Sequence, residues 1–213
     1  MELEPSALAV DPGRLGCMKV HLTNSGPDAC EVAVEVAADD RDWTWVHPES
    51  CTVTPGEETV VSVFFKPACG PHPTAGRHAV EIVARSPAEA AHGEGMVEVG
   101  PFVDAAGALD PMVAYGPMSA TYTFNLENRG NVPVHAALCT EDPSGALDVG
   151  VQPTTLRADP GQTTTATVAV QAKKKLKRGE HTYRVCVLAE VDGASDLRIE
   201  GAFRQQGLKP AKK

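Results

Sequence analysis

Three alternating apolar residues, Met18, Val20 and Leu22, run into Asn24-Ser-Gly26, and the arrangement returns 104 positions later as Tyr122, Phe124 and Leu126 running into Asn128-Arg-Gly130. The return continues in order. Cys30, Val32 and Val34 fall against Val134, Ala136 and Leu138 at the same offset. Pro48, Cys51, Pro55-Gly56 and the set Val61, Val63, Phe65 fall against Pro153, Leu156, Pro160-Gly161 and the set Ala166, Val168, Val170 at 105. Gly76 ahead of Val80, Ile82 and Ala84 aligns with Gly179 ahead of Tyr183, Val185 and Val187 at 103. A chain that recurs in this way is expected to build one structural unit twice.

Each set is apolar at i, i+2 and i+4, the period that turns one face of a strand toward a core. No 3.6-residue amphipathic pattern runs for ten residues anywhere, and Asn-x-Gly, Pro-Gly and Gly-Pro turns separate the sets. Roughly seven short strands in about 100 residues is the pattern of an immunoglobulin-like sandwich. The fold class expected is therefore all-β, two tandem immunoglobulin-like (fibronectin III-like) β-sandwich domains. The expected domains are 1–100 and 101–208, with a basic tail at 209–213, because Met96 to Val99 reads as a last strand and Pro101 blocks its continuation. Trp43 and Trp45, two apart, are expected to place both rings on one face; they read as one core plug and one partly exposed ring, with a carbohydrate-stacking platform as the alternative.

Charge separates the halves. Residues 1–100 carry 16 acidic and 6 basic side chains, a balance of −10, while residues 101–213 carry 12 and 13, a balance of +1. An acidic first domain repels phosphate, so no nucleic-acid partner is expected for it. No stretch reaches the roughly 18 apolar residues of a membrane helix, and no basic segment with a following apolar run opens the chain. The expected location is cytoplasmic, or within a particle assembled there.

The Asn-x-Gly after the second strand, the segment from Trp43 to Pro48, the Pro-Gly ahead of a Thr/Val-rich strand and Ala75-Gly-Arg-His-Ala-Val resemble tandem immunoglobulin-like proteins of actinobacteria often labelled "hydrolytic protein". The resemblance spans about Val10 to Phe203 and lies in turns and core positions. It implies an accessory or structural component of a phage-tail-like contractile injection system, since members occur among the genes of such machines.

The hydrolytic label finds no chemistry among these residues. A serine hydrolase calls for a nucleophile on a strained Gly-x-Ser-x-Gly turn with His and carboxylate partners, and that motif is absent. Ser144 in Asp142-Pro-Ser-Gly145 reads as a β-turn. The adjoining carboxylates Asp39-Asp40 and Glu57-Glu58 read as solvated charge rather than a glycosidase pair. Cys69-Gly-Pro-His72, with His78 and His92 later, supplies one paired ligand motif where structural zinc uses two. Cys30 and Cys51 recur as Val134 and Leu156 and so read as small core residues. No catalytic, cofactor or metal residues are expected, and the thiols are expected to be free.

One segment stands apart. Lys173, Lys174, Lys175, Lys177 and Arg178 place five positive charges in six residues, too costly to bury. Three readings stand: a solvated loop, a docking loop for an acidic protein surface, and a contact for anionic lipid or nucleic acid. The expectation is a non-enzymatic structural or adaptor protein whose partners are other proteins, self-association included, with a glycan- or envelope-binding module and a hydrolase as alternatives.

Overall fold

A computed structural model describes residues 1–37 and 42–207, which leaves Asp39-Asp40 and the 209–213 tail outside the described residues. The chain divides into two compact units, Met1–Phe102 and a second beginning at Val103. The first contains β1 (Glu2–Glu4), β2 (Ala7–Val10), β3 (Gly16–Thr23), β4 (Cys30–Val36), β5 (Thr44–His47), β6 (Ser50–Val53), β7 (Glu58–Phe65), β8 (Gly76–Arg85) and β9 (Ala90–Val99). The second contains β10 (Ala105–Asp110), β11 (Val113–Gly116), β12 (Ser119–Asn128), β13 (Val134–Glu141), β14 (Leu147–Gln152), β15 (Thr155–Ala158), β16 (Thr163–Ala172), β17 (Glu180–Val191) and β18 (Leu197–Gln206).

Each unit is an immunoglobulin-like β-sandwich. A four-stranded sheet β1-β3-β7-β5 faces a five-stranded sheet β2-β9-β8-β4-β6, and the second unit has β10-β12-β16-β14 with β11-β18-β17-β13-β15, the same order throughout. Nine segments stand where seven strands were expected because two edge strands in each domain break and cross between sheets. The breaks fall at Pro5, Pro48, Pro111 and Pro153. Proline has no N–H to give to a ladder, so an interruption there forfeits no hydrogen bond.

The residues that alternate are the ones buried. Met18, Val20 and Leu22 meet Val61, Val63, Phe65, Val80, Ile82 and Val97 in one core, and Tyr122, Phe124 and Leu126 meet Val168, Val170, Val185, Val187 and Phe203 in the other. Volume is redistributed between equivalent slots. Val20 opposes Val61 in the first domain, whereas Phe124 opposes Ala166 in the second, so a larger side chain is offset by a smaller neighbour and density is kept. Tyr122 adds a hydroxyl to this core and donates it to Ala202 O at 2.8 Å.

Two expectations are corrected. Val34 pairs with Ala84 and Leu138 with Ala189, so Ala84 corresponds to Ala189 and the offset of the penultimate strand is 105, not 103. A slip of two residues keeps every side chain on its own face, which is why alternation does not reveal it. Of the indoles, one plugs the core and the other is exposed as expected, but the two do not share a face. Trp43 precedes β5 and is buried beside Phe65 at 5.7 Å between ring centroids, while Trp45 is 45% exposed and stacks on Phe64 at 5.5 Å. Phe64 and Phe65 are adjacent on one strand and point to opposite sides, carrying the two indoles apart. Among the described residues no helix is long and apolar enough to cross a membrane.

Candidate protein-docking surfaces

The two Asn-x-Gly motifs are scaffolding. Asn128 Nδ2 donates to Val132 O and Ala158 O at 2.8 and 2.9 Å while its Oδ1 accepts from Gly130 N at 2.9 Å. Asn24 does the same with Asp28 O, Val53 O and Gly26 N. Each asparagine ties its own turn to the edge strand of the opposing sheet. The Pro-Gly turns complete the tie: Gly56 N donates to Asn24 O and Gly161 N to Asn128 O, with the two glycines at φ +74° and +72°, a region that disfavours residues bearing a Cβ.

The residues with candidate chemistry are likewise occupied. Ser144 Oγ donates to Asp142 Oδ1 at 2.5 Å and accepts from Ala146 N. Against partial burial, the Ser144 hydroxyl, the N–H groups of Leu147 and Ser144 and the nearby Lys173 hold the Asp142 carboxyl below its ordinary pKa. Glu57 accepts from Thr54 Oγ1 in its turn, whereas Glu58 reaches across to His21. His78 lies edge-on to the buried Trp43 and contacts Thr74 O at 2.7 Å, while His92 pairs with Glu81 on the outer face of the same sheet. The sheet separates them. Among the described residues no three His, Cys, Asp or Glu side chains are grouped to hold a metal. All six cysteines are free thiols.

The basic segment forms the loop between β16 and β17, with Lys173, Lys174, Lys175, Lys177 and Arg178 all exposed and Leu176 half-buried. Its charges are not equivalent. Lys173 Nζ donates to Gly145 O at 3.0 Å and lies 3.6 Å from Asp148 Oδ1, so it serves the neighbouring turn. Lys174, Lys175, Lys177 and Arg178 have no ion-pair partner among the described residues. The backbone beneath them is fixed by Gln205, which is fully buried and donates from Nε2 to both Lys174 O and Pro117 O at 2.9 Å, while Tyr183 OH donates to its Oε1. Sequence reading passes over Gln205, although a polar residue two positions after Phe203, on the inward side of β18, was the available signal.

A second charged surface is the outer face of the five-stranded sheet of the first domain. Glu31, Glu35, Glu81, Glu94 and Glu98 alternate there with core residues. Glu35 pairs with Arg85 at 2.9 Å and Glu81 with His92 at 2.7 Å, and Glu81 stands directly across from Glu94 in the ladder. Like charges in that relation repel. The equivalent positions of the second domain are His135, Cys139, Cys186, Glu200 and Arg204, so the acidity belongs to this face of the first domain.

The four-stranded sheet differs in the same way. In the first domain its outer rows are Cys17, Phe64, Trp45 and then Lys19, Ser62, His47; in the second they are Thr121, Ala169, Gly150 and then Thr123, Thr167, Gln152. His21 on this face sits between Glu58 and Glu4, with Nε2 3.3 Å from Glu4 Oε2. The hydrogen bond to Glu58, opposed by desolvation and reinforced by both carboxylate charges, raises the His21 pKa.

No family model and no curated protein matches the chain. Among solved structures it is similar to a protein of unknown function from Porphyromonas gingivalis W83, 13% identical over 96% of this chain and 98% of that chain with a TM-score of 0.35. It is also similar to the D0-D1 domain of intimin, 12% identical over 94% and 95% with a TM-score of 0.34, and to the Pseudomonas aeruginosa CupB2 chaperone, 10% identical over 94% and 99% with a TM-score of 0.33.

Proposed function

We propose that this chain is a non-enzymatic adaptor or structural protein, resident in the cytoplasm or in a particle assembled there, that docks acidic protein surfaces through the β16–β17 loop. The observation that carries the reading is a run of cations, four of them without an ion-pair partner among the described residues, held on a backbone anchored by a buried glutamine. An ordered loop loses less conformational entropy on binding than a floppy one. Charge complementarity then raises the encounter rate and selects orientation. The resemblance noted in the sequence supports reading such an adaptor as an accessory component of a contractile injection system.

The test is binding of a poly-glutamate peptide by fluorescence anisotropy. Wild type is expected to bind in about 50 mM salt and to lose affinity in about 500 mM, where the screening length falls from roughly 14 to 4 Å. Lys174→Glu, Lys175→Glu and Lys177→Glu together are expected to abolish binding without shifting the melting temperature. Binding indifferent to salt and to these replacements would return the loop to the solvated reading.

A glycan-binding reading is favoured by one observation, the exposed Trp45 stacked on Phe64 with an interplanar angle of 19°, where the second domain has Gly150 and Ala169. An exposed indole is a platform for a sugar ring, and quenching of Trp45 fluorescence by saccharides, lost in Trp45→Ala, is its test.

A further inference from the structure

We infer that the partner of the basic loop is a second copy of this chain, docked head to tail on the outer face of the five-stranded sheet of the first domain. This rests on the docking reading above and names its partner. The loop offers Lys174, Lys175, Lys177 and Arg178, exposed and without ion pairs among the described residues. The sheet face offers Glu31 and Glu94 in the same condition, with Glu98 across the ladder from the exposed Arg77, and it carries a repulsion of its own, since Glu94 faces Glu81. An ammonium group entering between these carboxylates removes that repulsion, so the contact gains more than the attraction of an isolated exposed pair.

The face is a regular array. Neighbouring strands lie about 4.8 Å apart and same-face residues about 6.7 Å apart along each strand, so several lysines of one short loop reach separate glutamates at once. The competing face within the chain does not serve: the second domain has His135, Cys139, Cys186 and Arg204 at four of the five positions. Loop and face are different surfaces, so each contact between them is heterologous. Being built from exposed charges, it is a weak, salt-dependent contact.

Sedimentation of the full chain, with its weight-average mass followed against concentration, decides the matter. In about 50 mM salt the mass is expected to climb above that of one chain as concentration rises, and in about 500 mM salt to return to it, with the association constant falling at least about tenfold. The loop variant K174E/K175E/K177E and the face variant E81K/E94K/E98K are each expected to stay single, and an equimolar mixture of the two to associate again, because each then supplies the charge the other lacks. A neutral face variant, E81Q/E94Q/E98Q, guards against misfolding: it relieves the Glu81–Glu94 repulsion, so it is expected to melt no lower than wild type while still failing to associate. Association that survives high salt or the loop variant, or that the mixture does not restore while both variants remain folded, overturns the inference. A wild-type chain that binds poly-glutamate but stays single at every concentration overturns self-docking and leaves the docking reading standing. A chain that binds neither overturns both.

Discussion

Asn128 and Asn24 do one task in two settings, and the difference between them is measurable. Asn128 is 1% exposed while Asn24 is half-buried, so removing the amide strands Val132 O, Ala158 O and Gly130 N away from water in one case and leaves their counterparts partly hydrated in the other. Asn128→Ala is expected to cost about 1–3 kcal/mol in a denaturant titration, and Asn24→Ala less. His21 gives a pH signature. Its pKa is raised in the folded chain, so its contribution is fully present below the ordinary value near 6.5 and is lost as pH rises through the higher folded value. Melting temperature is expected to fall as pH rises above about 6.5, with a flatter profile in His21→Gln. The asparagines were legible in the sequence because Asn-x-Gly is a turn signature recurring at a fixed offset. His21 was not, since its partners Glu4 and Glu58 come from strands far apart in sequence.

At the scale of elements, period-2 alternation made the strands readable, and it failed where the period carries no information. The penultimate strand was placed two residues off because such a slip preserves the buried face. The edge crossings were missed because a proline marks an interruption without saying that the chain resumes in the opposite sheet. Trp43 does not share the face of Trp45 because strand geometry does not extend back across the turn before β5. The basic loop was found from its charge alone, while the element that positions it was not: Gln205 lies on β18, about thirty residues downstream of Lys174, the loop residue it holds. Gln205→Leu leaves Lys174 O and Pro117 O unpaired, and is expected to cost about 1–3 kcal/mol. A lysine-specific protease is expected to cut this variant faster at Lys173–Lys177, as checked by the masses of the early fragments.

At the scale of the whole molecule, the same strand order and the same ladder register recur in both domains, yet the outer faces are chemically unlike. The cores tolerate exchange of large and small residues within one frame, so Leu126→Ala, fully buried, is expected to cost about 2–5 kcal/mol in a chemical denaturation. Such a loss would be felt in stability and not at any surface. The two frames differ instead in what each displays: carboxylates on one sheet of the first domain, an aromatic pair on its other sheet, and cations on a loop of the second. The loop is the proposed site at which a partner docks. Amide resonances of the isotopically labelled chain, titrated with poly-glutamate in about 50 mM salt and again in about 500 mM, test it residue by residue. The expected result is a set of shifts confined to Lys173 through Gly179 and the neighbouring Gln205, saturable at low salt and absent at high salt. Shifts centred on Trp45 and Phe64, or none at the lysines while the peptide binds, would contradict it.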